Sequence, residues 1–190
     1  MAGAEGRPQG RPQGWLRGAR RVPSPNHDRR PQGTDVTLLL LHSISLPRGD
    51  YRKDAGGGAI ERLFTNRLDP MEHPSFADLA GLRVSAHFLI RRDGELVQFV
   101  PLAARAWHAG ASRWRGRERC NDFSIGIELE GSDDGPFESA QYERLAILIR
   151  ILRKLLPIRD VAAHSDIAPD RKSDPGSGFD WPRLLSALCT

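Results

Sequence analysis

Val36-Thr37-Leu38-Leu39-Leu40-Leu41-His42 is short, almost wholly aliphatic and closed by a histidine. Such a run shows no polar alternation, so both of its faces must be covered, as in a central strand of a sheet layered by helices. The strand is expected over 36–41, delivering His42 at its C-terminal end. Val161-Ala162-Ala163-His164 has the same form on a smaller scale. Between the two, Phe123 to Glu130 alternates: Phe123, Ile125, Ile127 and Leu129 point one way, and Ser124, Gly126, Glu128 and Glu130 the other. Glu128 is thereby carried on a rigid strand, opposite its apolar packing face.

From Ser139 to Leu156, Tyr142, Leu145, Ala146, Ile149, Leu152 and Leu156 recur at helical spacing, and Pro157 ends the pattern. Residues 86–90 and 95–100 flank Arg92-Asp93-Gly94, whose Asp-Gly pair supplies the positive φ of a tight hairpin. A short helix is expected over 59–64, and Asp180-Trp181-Pro182 opens a terminal one. Residues 47–83, with Gly56-Gly57-Gly58 and several prolines, are too long for a plain loop, which marks the segment as functional. Strands interspersed with helices give a single α/β domain, a mixed central β-sheet flanked by helices.

A chain of 190 residues, 39% hydrophobic, suits one domain with a sizeable core. Residues 1–14 repeat Arg-Pro-Gln-Gly and hold almost nothing to bury, so they read as a disordered tail, with the domain over 15–190. The same tetrapeptide at 30–33 sits in a proline-rich lead expected on the surface. Residues 1–33 carry seven Arg against Glu5 and Asp28, so a net charge of +4 leaves about −1 for the rest. The body therefore lacks a basic stripe, which argues against nucleic acid as a partner. Cys120 and Cys189 stand in no metal spacing and form no disulfide framework, which favours a reducing compartment. With no apolar signal region and no membrane-length apolar stretch, a soluble, cytoplasmic monomer is expected.

The chemistry gathers near the C-terminus, where His164-Ser165-Asp166-Ile167-Ala168-Pro169-Asp170-Arg171-Lys172-Ser173-Asp174-Pro175-Gly176 sets a histidine, a lysine and carboxylates in one irregular segment. If the strands at 36–41 and 161–163 are neighbours, His42 and His164 meet at one edge, and Asp174 can complete a His-His-Asp set. Three ligands leave one tetrahedral position open, the pattern of a catalytic Zn²⁺. Glu128 can serve as base and Lys172 as oxyanion partner. Each residue taken singly also has a plainer role: a satisfied strand-end histidine, an Asp-Pro-Gly turn, a solvated carboxylate or lysine. His87, in mid-strand, reads as structural, and His73, beside Pro74, as a surface-loop residue.

Residues 41–47, 83–87, 89–94, 106–110, 116–131 and 164–176 together resemble the zinc-dependent N-acetylmuramoyl-L-alanine amidases. The likeness is greatest to cytoplasmic members that act on anhydro-muropeptides in peptidoglycan recycling, and it covers roughly residues 15–185. It implies the amidase type 2, peptidoglycan-recognition-like fold and hydrolysis of the amide between (1,6-anhydro-)N-acetylmuramic acid and L-alanine. It implies zinc on His42, His164 and Asp174, with Glu128 as proton acceptor and Lys172 stabilising the transition state. It further implies that Trp107 stacks near the anhydro sugar, Arg83 and Arg119 meet the acidic ends of the stem peptide, Asn121 orients the ligand and His108 lines the groove. Arginine forks suit that task because they bind carboxylates bidentately. Related recognition modules bind without cutting, and other members cut intact wall. The retained ligand set argues against the first and the missing export signal against the second. Ser43 departs from the asparagine expected after the first zinc histidine, and the Arg-Pro-Gln-Gly tail has no family counterpart.

Overall fold

The structure, a computed structural model, describes residues 14–51 and 58–189. In chain order its strands are β1 (Arg20–Arg21), β2 (His27–Arg29), β3 (Leu38–Ile44), β4 (Phe88–Ile90), β5 (Leu96–Gln98), β6 (Ala104–Ala106), β7 (Arg113–Trp114), β8 (Arg117–Glu118), β9 (Ser124–Glu130) and β10 (Asp160–Ala163). The helices are α1 (Ala59–Phe64), α2 (Ser139–Leu155), α3 (His164–Ile167) and α4 (Trp181–Cys189). Six strands make the main sheet in the order β1-β5-β4-β9-β3-β10, and β2–β6 and β7–β8 are separate pairs. The four strands β4, β9, β3 and β10 run parallel, while β5 turns back antiparallel to β4 through the expected Asp93-Gly94 hairpin.

The leucine run is buried on both sides, as its composition requires. Leu38, Leu39, Leu40 and Leu41 are each fully inaccessible, and burying one such side chain is worth roughly 1.5–3 kcal/mol. Leu39 and Leu41 join Ile125, Ile127 and Leu129 against α2 and α4, where Leu145, Ile149, Leu152 and Leu184 close the layer. Leu38 and Leu40 face the other way, onto Ala109, Cys120, Ala162 and Ile167. Phe123 departs from the expected alternation: it belongs to a 3-10 turn before β9 and packs with Leu38 and Leu40. A 3-10 turn abandons the two-residue period of a strand.

Polar residues on that second face are buried too. Ser124, Gly126, Glu128 and Glu130 all lie on it, and every residue of β9 is buried. The expected helix over 59–64 is present and contributes to this cover. Its Glu61 meets the guanidinium of the fully buried Arg91 at 2.5 Å, and Arg91 meets Glu130 at 2.5 Å on its other arm. The tail reading over 1–13, and Gly56 and Gly57, lie outside the described residues; Gly14 accepts hydrogen bonds from the Leu102 amide and the Gln98 side chain. The proline-rich lead is more than surface chain. β1 forms the sheet edge beside β5, and Ser24 and Asn26 are buried. The Arg30 guanidinium donates to the carbonyls of Asn121, Asp122 and Ser124. Proline and arginine content gave no sign of those long-range bonds.

Candidate metal centre and active site

Register alone brings three strand ends together. His42 on β3 is the direct partner of Glu128 on β9, and Ala163 on β10 partners Leu41, so His164 follows beside His42. His42 lies within β3, two residues before its end, and His164 opens α3, where the backbone turns out of the sheet. The site thus sits at the carboxyl ends of parallel strands, where α/β sheets commonly bind ligands. Asp174 arrives from the loop beyond α3, its carbonyl accepting the Ser165 amide at 3.1 Å. Gly176 permits this approach: its φ is +82°, and a Cβ would stand 2.1 Å from the Asp133 carbonyl oxygen.

His42 Nδ1 and His164 Nδ1 are 2.9 Å apart, and each lies 3.0 Å from Asp174 Oδ2. Four-coordinate zinc with ligands at ~2.0–2.1 Å has edges of about 3.3 Å, so the three atoms form a face of such a polyhedron to within a few tenths of an ångström. His164 has no hydrogen to give to this cluster. His164 Nε2 points at the Ala109 carbonyl at 3.2 Å, to which only an N–H can bond, so its Nδ1 turns a lone pair inward. Two ring nitrogens and a carboxylate oxygen converging at this spacing fit a divalent cation, and N,N,O donors suit zinc. Burial pushes the His42 pKa down, which keeps its ring neutral as a ligand must be.

Glu128 and Glu130 share a strand and a face, and their partners separate them. Glu130 is neutralised by Arg91 and accepts the Arg92 amide at 3.1 Å. Glu128 is 8% exposed, and its Oε2 has no hydrogen-bond partner among the described residues. Burial pushes its carboxyl well above the ordinary value, and the nearby Asp174 charge adds to that, while Lys172 opposes it. An unpaired buried carboxylate beside a cation face is poised to exchange a proton with whatever occupies the centre. Lys172 itself is exposed on the ligand loop, its amide bonded to Ala168 O at 3.0 Å.

The residues tied to substrate by resemblance divide. Arg83 and Arg119 are exposed, and Trp107 is half-buried, its amide bonded to Ser85 Oγ. Arg119 borders a cavity of about 530 Å³ that Arg113 and Arg171 also line. Asn121 Oδ1 is already engaged by the amides of His108 and Ala109 at 3.1 and 2.8 Å. The His108 ring stands behind His42, Nδ1 to Nε2 at 3.0 Å, with both nitrogens facing protein atoms. His87 is fully buried, and its Nδ1 accepts the Gly126 amide at 3.1 Å, a structural role. His73 caps a 3-10 turn at the surface. Sequence reasoning missed Asp133, whose Oδ1 accepts Ser43 Oγ at 2.7 Å and whose Oδ2 accepts Ser173 Oγ, joining the end of β3 to the ligand loop. Ser43 thus has a partner of its own. No pattern of spacing marked Asp133.

Comparison with known proteins agrees with this geometry. The family model described as "N-acetylmuramoyl-L-alanine amidase" matches residues 32–177. The 1,6-anhydro-N-acetylmuramyl-L-alanine amidase AmpD of Escherichia coli is 58% identical over 174 residues, covering 90% of this chain and 93% of that protein. The crystal structure of a selenomethionine derivative of AmpD superposes with a TM-score of 0.87 at 53% identity, covering 93% of this chain and 97% of the other. The amidase AmiD of E. coli, solved with its substrate anhydro-N-acetylmuramic acid-L-Ala-D-γ-Glu-L-Lys, superposes with a TM-score of 0.57 at 32% identity, covering 84% of this chain and 60% of AmiD.

Proposed function

Because the chain belongs to the N-acetylmuramoyl-L-alanine amidase family, we propose that it hydrolyses the amide between 1,6-anhydro-N-acetylmuramic acid and the L-alanine of a stem peptide, as a zinc enzyme of peptidoglycan recycling. The observation that carries this reading is the 3.0 Å face of His42, His164 and Asp174 beside the unpaired Glu128 carboxylate. When bound there, zinc would polarise the scissile carbonyl and lower the pKa of the attacking water toward ~7.

Glu128 takes the proton of that water and returns it to the leaving alanine nitrogen. Its raised pKa suits the second half of the task, since a carboxyl with too low a pKa is a poor acid for an amine. Lys172, on the loop that carries Asp174, offers its ammonium to the oxyanion of the tetrahedral intermediate. Trp107 supplies a flat face for the sugar, and Arg83 and Arg119 supply exposed guanidinium forks for the peptide carboxylates. No helix of the described residues is long and apolar enough to cross a membrane; the similarity to AmpD supports work on a muropeptide in the cytoplasm, and the chain is proposed to act as a monomer.

The test is release of stem peptide from purified anhydro-muropeptide and from intact sacculi, each with and without a chelator. Rapid release from the muropeptide, abolished by chelation and restored by added zinc, is the expected result. Tight binding without release would make the chain a recognition module, and faster cleavage of sacculi a wall hydrolase.

A further inference from the structure

Behind the metal face runs a line of hydrogen bonds whose direction can be read from its far end. Ser124 Oγ donates to the Cys120 carbonyl at 2.6 Å, an acceptor that can take only a proton. The same oxygen lies 3.3 Å from His108 Nε2, and its hydrogen being spent, it can serve there only as acceptor. His108 therefore carries its proton on Nε2 and presents a lone pair at Nδ1. That lone pair faces His42 Nε2 at 3.0 Å, which must then be the protonated nitrogen of His42. His42 Nδ1 is left bare, 3.0 Å from Asp174 Oδ2. Gly126 makes room for the relay, because a Cβ at that position would stand 2.5 Å from His108 Cγ.

From this chain we propose that His108, aligned by Ser124, is a positioning residue that fixes the tautomer and ring angle of His42 for metal binding. Such outer partners hold a ligand in its binding tautomer, and their loss typically costs 10–100-fold in metal affinity. The proposal rests on the zinc reading above. It gives His108 work that needs no contact with substrate, since both ring nitrogens are committed to the protein. It also pairs the two histidines: the ring of His108 serves His42, and the carbonyl of the next residue, Ala109, serves His164. Asn121 clamps both from behind through their amides.

The test combines two measurements. Two-bond ¹H–¹⁵N correlation of the histidine rings in the full-length protein should show His108 as the neutral Nε2–H tautomer, both metal-free and zinc-loaded. A proton on His108 Nδ1 in the metal-free protein would overturn the proposal even if the chain bound no zinc, and absence of zinc binding by the wild type would instead overturn the proposed function. Competition against a chromophoric chelator should then show His108→Leu weakened 10–100-fold in zinc affinity. His108→Asn, whose Oδ1 overlaps the Nδ1 position, should recover most of that loss. Ser124→Ala, which touches no ligand, should weaken zinc in the same direction. Zinc affinity of a folded His108→Leu within twofold of wild type would refute the assignment, and if that variant does not fold, the ring tautomer in the wild type decides.

Discussion

Gly126→Ala perturbs the site without touching a ligand. The added Cβ would lie 2.5, 2.6 and 2.7 Å from Cγ, Nδ1 and Cδ2 of His108, where carbon contacts are comfortable only at ~3.5–4.0 Å. Backbone strain is not at issue, since Gly126 lies in β9 outside the positive-φ positions. The ring must retreat by about 1 Å. That shift pulls the His108 ring out of line with the 3.0 Å bond between its Nδ1 and His42 Nε2, and such bonds weaken steeply when misaligned. Two effects follow. Overpacking costs roughly 1–3 kcal/mol of stability, a fall in Tm of about 3–10 °C for a domain of this length. Misalignment of the outer partner of His42 weakens zinc by up to about 10–100-fold, or roughly 1.4–2.8 kcal/mol. Zinc competition and thermal unfolding of the metal-free protein measure the two separately. Gly14→Ala, whose Cβ would meet nothing within 4 Å, is the matched control and should change neither. Wild-type zinc affinity in Gly126→Ala would refute the claim that the ring seated on this glycine governs the ligand.

Other substitutions separate metal binding from chemistry. Glu128→Gln should keep zinc and lose about 10²–10⁴ in turnover, measured by stem-peptide release. The same variant should stabilise the metal-free protein at neutral pH by on the order of 1 kcal/mol. In the folded chain Glu128 holds its proton to a higher pH than in the unfolded chain, so wild-type stability falls as pH rises through that window; melting curves should show the gain vanishing below the ordinary glutamate pKa. Lys172→Ala should leave zinc content and Tm unchanged, because the side chain is exposed, while turnover falls by about 10²–10³. Gly176→Ala should destabilise the ligand loop and reduce zinc occupancy, since its Cβ would collide with the Asp133 carbonyl; elemental analysis and thermal unfolding check both.

Much of this arrangement is legible along the chain because it depends on local periodicity. The leucine run before His42, the alternation around Glu128 and the helical spacing of 139–156 each reflect one element meeting one core, and all three elements form, though β3 begins two residues later than read and runs past His42, and Phe123 falls outside β9. Two strands ending near histidines bring His42 and His164 together once they are neighbours, and the parallel pairing of β10 with β3 meets that condition. What the chain does not display is partnership at long range. Glu128 and Glu130 look alike in sequence, and only Arg91, thirty-nine residues from Glu130, marks one as structural and leaves the other unpaired. Asn121 and His108 illustrate the same limit: the Asn121 Oδ1 is spent on the backbone amides of 108 and 109, and both His108 ring nitrogens on His42 and Ser124. A hint was present in the small residues Ser124 and Gly126, which share the face of Glu128 and leave space for a ring. Asp133 gave none, since a loop aspartate beside Asp134 reads as solvated until Ser43 and Ser173 are seen to converge on it.

The central claim is that His42, His164 and Asp174 hold one zinc ion and leave a position open. X-ray absorption at the zinc edge of the purified full-length protein, with metal content measured on the same sample, tests it most directly. One zinc per chain is expected, bound at ~2.0–2.1 Å by two imidazoles and light oxygen donors, with the imidazole signal reduced in His42→Ala and His164→Ala alike. A wild-type protein that takes up no stoichiometric zinc, or holds it without imidazole scattering, would contradict the claim.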